Sequence, residues 1–317
     1  MTLLEITHET RYDYAAPVSL AHHLVHLKPL DDAFQQRLAF VMSVLPDPEQ
    51  VPEGVDALGN FECRFSLAVP HRELRVRALS RVRVRPRFAA LDAEGSPAWD
   101  ALAASLRYVA RGPFEPAVQF AMPSPYVPRF APLRSWALTA FRPGRPVAAA
   151  AIELMRRLHA EFEYRSQSTE VDTPLAEVWL HKRGVCQDFA HLMAGALRML
   201  GLPVRYVSGY LLTRAPEGGA QMQGADASHA WVQVWCPGTP GVPEDGWLDL
   251  DPTNDVVPGS GHVRVAIGRD FGDVTPLRGV IRGGGKHTLR VAVHTRVIDE
   301  PPGPSSDGPE RELLETP

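Results

Sequence analysis

This sequence contains little cysteine, no long apolar run and no large excess of either sign of charge. Only three of the 317 residues are cysteines (Cys63, Cys186 and Cys236), and no CxxC pair occurs, so a disulfide framework like that of small secreted domains is not expected. No apolar stretch reaches about 18 residues, the length that a membrane-spanning helix needs. Basic and acidic side chains number 33 and 37, so we expect no nucleic-acid partner and no membrane association.

The amino-terminal segment also lacks the marks of a secretory signal. It alternates polar and apolar residues from the start, without a basic region, a long apolar block or a small-residue cleavage site. We therefore expect a cytoplasmic protein. A composition of 44% hydrophobic and 22% charged residues excludes a wholly disordered chain, and the length favours about two domains.

Residues 1–86 show the period of two that is typical of half-buried strands. Leu4, Ile6, His8 and Thr10 fall on one face of the first segment, and similar alternation returns within 61–69 and 74–84. These patterns predict a mostly antiparallel N-terminal β domain over 1–86.

Three further regions follow this domain. Residues 87–146 are rich in proline and predict a connector with short helices, whereas residues 299–317 are acidic and proline-rich and predict a disordered tail. Residues 147–298 predict an α+β unit that includes the C-terminal strands. Its predicted helices begin near 147, 173 and 186, and its predicted strands cover 204–212, 229–236, 247–251, 262–266 and 288–297.

Cys186 is the cysteine whose position favours reactivity. It follows Gly184 and begins an apolar helix that should be buried and should stop at Gly201. A helix N-terminus carries about half a positive charge and unpaired N–H groups, which favour a thiolate over a thiol. Cys63 and Cys236 have no such context, and we expect both to be small buried hydrophobes.

His229 and Asp251 are the residues that could assist this thiol. His229 begins one predicted strand and could be a general base, and the next predicted strand carries Asp249 and Asp251 on one face. A hairpin centred on position 240 pairs His229 with Asp251, which brings their Cβ atoms to roughly 5 Å. Asp249 is the alternative orienting residue if the register slips by two.

Three ordered blocks resemble the bacterial transglutaminase-like superfamily: GVCQDFAHLMAGALRMLGLPVRYVSGYL, ASHAWVQVW and GWLDLDPTN. The segment TRYDYAAPVSLAHHLVHLKP with DALGN resembles the β domain that precedes this core in bacterial members, and residues 262–279 resemble the segment that follows it. The resemblance implies a papain/transglutaminase-like core, with the nucleophile at the N-terminus of a buried helix packed on an antiparallel sheet. It also implies that Cys186 is the nucleophile, His229 the base and Asp251 the orienting residue.

Such a triad implies acyl transfer from the amide of a peptide or protein through a thioester. Hydrolysis by water is the favoured outcome, with transfer from glutamine to an amine as the alternative. A non-catalytic scaffold that binds a peptide is the remaining hypothesis. For the second oxyanion donor, Tyr164 and Gln167 are weak candidates, whereas Trp179 is expected to pack in the core.

Metal and cofactor sites find little support in the sequence. His22 and His26 have the i, i+4 spacing of a helical metal pair beside His23, but no HExxH motif or cysteine pair accompanies them. Asp249, Asp251 and Asp255 resemble the start of a calcium loop, yet glycine and glutamate are missing from its required later positions. We expect no cofactor and no metal.

Overall fold

The computed structural model describes residues 1–212 and 228–299. The first part of the chain contains the strands β1 (Thr2–Val25), β2 (Gln35–Leu45), β3 (Glu53–Val55), β4 (Phe61–Leu67) and β5 (His71–Val84). The helices α1 (Trp99–Ser105) and α2 (Ala131–Ala137) follow, with a 3-10 helix at Pro116–Ala121 between them. The predicted tail at 299–317 lies outside the described residues except for Asp299.

The second part of the chain begins with α3 (Val147–Glu161), β6 (Glu163–Tyr164), α4 (Leu175–His181), β7 (Arg183–Gly184) and α5 (Cys186–Arg198). It continues with β8 (Val204–Leu211), β9 (His229–Trp235), β10 (Trp247–Leu250) and β11 (His262–Gly268). The last described elements are α6 (Phe271–Val274), β12 (Leu277–Gly283) and β13 (His287–Val297). No described helix is long and apolar enough to cross a bilayer.

Strand β1 organises the N-terminal sheet. It pairs antiparallel with β5 along its first half, and β4 pairs with its second half, giving the order β2-β5-β1-β4-β3. Leu4, Ile6, His8 and Thr10 are all buried, as their alternation predicts, because successive side chains of a strand point to opposite faces. The antiparallel β architecture predicted for this region is confirmed.

The last two strands join this N-terminal sheet and not the sheet of the second unit. β13 pairs with β1 from Leu4 to Tyr14, and β12 pairs with it from Val18 to Val25. The sequence pattern predicts a strand at 288–297 within the unit 147–298 and no strand at 277–283, and the pairing with β1 corrects both points. Alternation along a strand shows which face is buried but not which strand supplies its backbone partners.

The second unit is built on a four-stranded antiparallel sheet in the order β10-β9-β8-β11. Helix α5 packs against β8 and β9, and its side chains from Phe189 to Leu197 are all buried. A helix that is apolar on every side gains stability only when it is enclosed, which explains why α5 is covered by α2, α3 and α4 as well. The chain is thus an α+β protein in which a buried helix begins at Cys186.

Candidate active site

The start of α5 is fixed by a buried carboxylate. Oδ2 of Asp188 accepts hydrogen bonds from the backbone N–H of Val185 (2.8 Å) and from the hydroxyl of Thr169 (2.7 Å). Gly184 lies against this carboxylate, since a Cβ at Gly184 would stand 2.6 Å from Oδ2 of Asp188. The glycine that precedes the helix therefore makes room for its capping side chain. These contacts hold Cys186 as the first residue of the helix.

His229 lies at the start of β9 and meets Cys186 at one cavity. The imidazole is 1% exposed, whereas Cys186 is partly exposed, and both residues line a cavity of about 570 Å³. Nε2 of His229 donates to Oδ2 of Asp251 at 2.9 Å. Nδ1 has no hydrogen-bond partner among the described residues, so it is the nitrogen available to take a proton from the thiol.

The charges around His229 favour its protonated form. Burial disfavours the imidazolium, but the Asp251 carboxylate outweighs burial, and the Cys186 sulfur adds to its effect. Together they raise the pKa of His229 to about 10. A cationic imidazole next to the sulfur is the partner that stabilises a thiolate.

Asp251 is fully buried, and both of its carboxylate oxygens accept hydrogen bonds from described residues. Oδ1 accepts from the backbone N–H groups of Thr253 (3.0 Å) and Asn254 (3.3 Å). Oδ2 accepts from His229, from the Asn254 side chain (2.9 Å) and from Nε2 of His262 (3.1 Å). Although burial alone would raise it, the pKa of this carboxyl lies well below its usual range because of the two imidazoles. Asp251 therefore stays ionised.

The predicted hairpin register is wrong by two residues. Asp249 pairs with Gln233 and Leu250 pairs with Val232, which moves Asp251 away from the position directly opposite His229. The hydrogen bond from His229 reaches Asp251 past the end of the paired segment. The observed pairing is centred on residue 241 and the predicted one on residue 240, and alternation along the strands does not distinguish these two centres.

Asp249, the alternative orienting residue, has other partners. Its carboxylate accepts two hydrogen bonds from Arg264, one of them at 2.9 Å, and further ones from Gln233 (2.8 Å) and Trp231 (3.3 Å). Asp249 and Arg264 form a buried ion pair, and Arg264 also approaches Asp32 of the N-terminal region at 3.5 Å. The structure thus brings Asp251 to His229, whereas Asp249 pairs with Arg264 within the second sheet.

His262 and Trp231 lie beside Asp251 and His229, and the sequence reasoning assigned neither of them to the site. His262 begins β11 and donates to Asp251, and the Trp231 ring packs edge-on against His262, with centroids 5.3 Å apart. Gly209 makes room for Trp231, because a Cβ at Gly209 would stand 2.4 Å from the indole. The sequence signal that could have identified His262 is its position at the start of the predicted strand 262–266. Its use required knowing that β11 pairs with β8.

Tyr164 and Gln167, the weak candidates for an oxyanion donor, both line the cavity. Trp179 packs elsewhere, in a cluster of aromatic rings with Trp136 at 5.7 Å and Phe162 at 5.8 Å, as predicted. The backbone N–H of Cys186 belongs to the first turn of α5, where N–H groups have no acceptor within the helix. An oxyanion beside Cys186 can therefore be stabilised by the helix start.

The other two cysteines are enclosed. Cys63 is 3% exposed, and burial raises the pKa of its thiol to about 11. Cys236 is fully buried, and burial raises the pKa of its thiol even further. Both placements agree with the expectation of small buried hydrophobes.

The histidines considered for a metal do not lie on a helix. His22 and His23 belong to β1, where neighbouring side chains point to opposite faces, and His26 follows the strand. Nδ1 of His22 contacts the Ser66 hydroxyl (2.7 Å), and Nδ1 of His26 donates to the Thr275 carbonyl (3.2 Å). The i, i+4 spacing of His22 and His26 thus does not create a shared helical face.

Comparisons with known proteins match both parts of the chain. Residues 4–83 match the family described as the bacterial transglutaminase-like N-terminal region, and residues 135–252 match the transglutaminase-like superfamily. The second match contains Cys186, His229 and Asp251.

Relatives that match over most of their length occur in mycobacteria. An uncharacterized protein of Mycobacterium tuberculosis is 38% identical over 286 residues, covering 87% of this chain and 86% of that protein. A shorter match joins this chain to the protein-glutamine gamma-glutamyltransferase of Pseudomonas aeruginosa. That match is 34% identical over 117 residues, covering 36% of this chain and 17% of that protein.

A solved structure from Cytophaga hutchinsonii, named as a candidate cysteine protease, shares the fold. Its TM-score is 0.70 at 20% sequence identity, with 96% of this chain and 93% of that chain covered. The similarity therefore extends over the N-terminal sheet, the connector and the core.

Proposed function

This chain belongs to the transglutaminase-like superfamily, and we propose that it is an enzyme that transfers the acyl group of a peptide or protein amide through a thioester on Cys186. Members of this superfamily are typically cysteine enzymes. In this proposal, His229 is the general base and Asp251 orients it.

The observation that carries the proposal is the hydrogen bond between His229 and Asp251 beside the first residue of α5. Asp251 accepts from Nε2, which leaves Nδ1 facing the cavity that Cys186 also lines. The same carboxylate holds the ring in one tautomer and stabilises the cation that forms when the thiol proton is transferred. Helix start, imidazole and carboxylate thus act on one sulfur atom.

The reaction proceeds in two halves. The Cys186 thiolate attacks the amide carbonyl, the C–N bond breaks, and the imidazolium of His229 gives its proton to the leaving amine or ammonia. Water then attacks the thioester while His229 takes one of its protons, the C–S bond breaks, and the carboxylic acid leaves as the thiolate is restored. In this proposal, the Cys186 backbone N–H at the start of α5 stabilises the oxyanion of both tetrahedral intermediates.

Hydrolysis is the proposed outcome because water needs no binding site of its own, whereas an amine acceptor has to be bound before it attacks. The local similarity to the Pseudomonas glutamyltransferase favours a second candidate, transfer from the glutamine side chain to an amine. The two outcomes share the first half of the reaction and differ only in the nucleophile of the second half.

Mass spectrometry of the intact protein tests both halves. The wild type and Cys186→Ala are mixed with a blocked glutamine peptide, quenched in acid and weighed. We expect an acyl adduct on the wild type alone, and release of the acid product in buffer. Release of an amide product when a primary amine is added would favour the second candidate. Absence of any adduct with glutamine peptides and with a digest of mixed proteins would contradict the proposed function.

A further inference from the structure

The cavity beside Cys186 is enclosed by two different sheets. Cys186, Gln187 and His229 lie on the side of the second unit. The N-terminal sheet supplies a second side, through Thr10 and Tyr12 of β1 and through Leu289 and Val291 of β13. Thr10 pairs with Val291 and Tyr12 pairs with Leu289, so these four side chains form one continuous surface, here called the β1–β13 wall.

The apolar face of β13 is partly exposed at this wall. Leu289 is 49% exposed and Val291 is 38% exposed, whereas Val293, the next residue on the same face, is completely buried. The opposite face of the strand carries exposed Arg290, in line with an ordinary polar surface. Two adjacent exposed aliphatic side chains in a concave site next to a nucleophile are the arrangement that a bound apolar group would cover.

Apart from Cys186 and the His229 imidazolium, the described lining of the cavity is aliphatic, aromatic or neutral and polar. Outside the β1–β13 wall, its apolar and aromatic members include Tyr164, Phe271 and Leu277. The imidazole of His8 also lines the cavity, and burial lowers its pKa to about 4, so it is uncharged at neutral pH. Away from Cys186 and His229, a charged substrate side chain that packs on the described lining loses water without gaining a partner of opposite charge, whereas an apolar side chain gains by leaving water.

We propose that the β1–β13 wall is a substrate subsite, which binds an apolar or aromatic side chain of the peptide next to the amide that Cys186 attacks. The position of that amide rests on the proposed function, but the apolar wall and its neighbouring cavity do not. The N-terminal sheet thereby becomes part of the substrate site, and the substrate class is a peptide segment with aliphatic or aromatic residues beside the reacting group.

Binding to the inactive Cys186→Ala protein tests the subsite without turnover. The probes are blocked fluorescent hexapeptides with one glutamine, flanked either by leucine and phenylalanine or by aspartate and lysine. We expect the apolar peptide to bind at least about tenfold more tightly, as apolar pockets typically discriminate. Adding Leu289→Asp to this protein should remove the preference for the apolar peptide. Adding Val291→Thr, which conserves the shape of the side chain, should weaken binding of the apolar peptide but not of the charged one.

Val297→Asp is the matched control. Val297 is 53% exposed, lies on the same face of β13 and does not line the cavity, so its replacement should leave both affinities within about twofold of Cys186→Ala. Equal affinities for the two peptides, no binding of either, or equal effects of Leu289→Asp and Val297→Asp would overturn the subsite.

Failure of the proposed function would give a different result. The wild-type protein would then form no acyl adduct, although the selective binding and its loss in Leu289→Asp would persist. Adduct formation without peptide preference would instead retain the enzyme and reject the subsite.

Discussion

Nε2 of His262 lies 3.1 Å from Oδ2 of Asp251, the carboxylate oxygen that also accepts from His229. Two imidazoles from different strands therefore share one buried carboxylate. His262 has no place at the cavity, and its ring is instead enclosed against Trp231. The arrangement identifies His262 as a positioning residue that limits the directions in which Asp251 can turn.

Removal of this hydrogen bond should impair catalysis by way of Asp251. A hydrogen bond to a charged group contributes about 1.5–3 kcal/mol, so His262→Phe should lower kcat by roughly tenfold or more. His262→Gln can still donate to Asp251 and should recover most of the rate. The pH–rate profile separates this role from simple packing. Without the hydrogen bond from His262, the Asp251 side chain has more freedom, and the part of the profile that reflects ionisation of His229 should shift. An unchanged profile in a folded His262→Phe protein would contradict the positioning role.

Asp251 and Asp249 should respond differently to the same substitution. Asp251→Asn removes the charge that stabilises the His229 cation, and activity should fall by roughly 10²-fold or more. Asp249→Asn leaves Arg264 as a buried charge without its main partner, which should reduce the free energy of unfolding by about 3–5 kcal/mol. Urea denaturation and acyl-enzyme formation, measured on both variants, distinguish the two. A larger loss of activity in folded Asp249→Asn would reverse the assignment.

The three thiols should differ in their reaction with iodoacetamide. Cys186 is partly exposed beside the His229 imidazolium and should be alkylated at neutral pH and below, where free thiols react slowly. Cys63 and Cys236 should react only after denaturation, since burial raises the pKa of both thiols. Peptide mapping after alkylation at several pH values measures this. Equally slow reaction of all three would favour the non-catalytic scaffold.

Gly184→Ala should disturb the start of α5. The new Cβ would stand 2.6 Å from Oδ2 and 2.7 Å from Cβ of Asp188, so either the helix start or its capping side chain has to move. We expect a loss of about 1–3 kcal/mol in the free energy of unfolding, together with slower alkylation of Cys186. Gly259→Ala is the control, because a Cβ there meets no atom within 4 Å. Equal stability of the two variants would show that Asp188 can move without penalty.

The contribution of His229 to stability should fall as the pH rises. The Asp251 carboxylate, acting against burial, raises the pKa of His229 from 6.5 to about 10, so the folded protein holds this proton more tightly than the unfolded chain does. The stabilisation is complete below pH 6.5 and is lost between pH 6.5 and about 10. The difference in unfolding free energy between wild type and His229→Gln should therefore shrink over that interval. A constant difference would mean that the proton is not retained on folding.

Local sequence patterns predicted the helix and the strands that hold the candidate site residues. The apolar helix that starts at Cys186 and the alternating strands that carry His229 and Asp251 follow from hydrophobic period and from the position of glycine, which depend on neighbouring residues alone. The hairpin register does not follow from local sequence, since the observed pairing of β9 with β10 differs from the predicted one by two residues. The hydrogen bond to Asp251 survives this shift because an imidazole reaches diagonally beyond its own strand position.

By itself, the sequence determined the α+β architecture, the family resemblance and the residues that we propose as nucleophile, general base and orienting carboxylate, because each follows from short-range patterns or contiguous motifs. Only the tertiary structure decided that β12 and β13 return to the N-terminal sheet, that His262 shares Asp251, and that Leu289 and Val291 stand beside Cys186. Those relationships join segments 11 to more than 100 residues apart. Contacts of this kind are selected by the packing of whole sheets against one another, which alternation along a single strand does not encode.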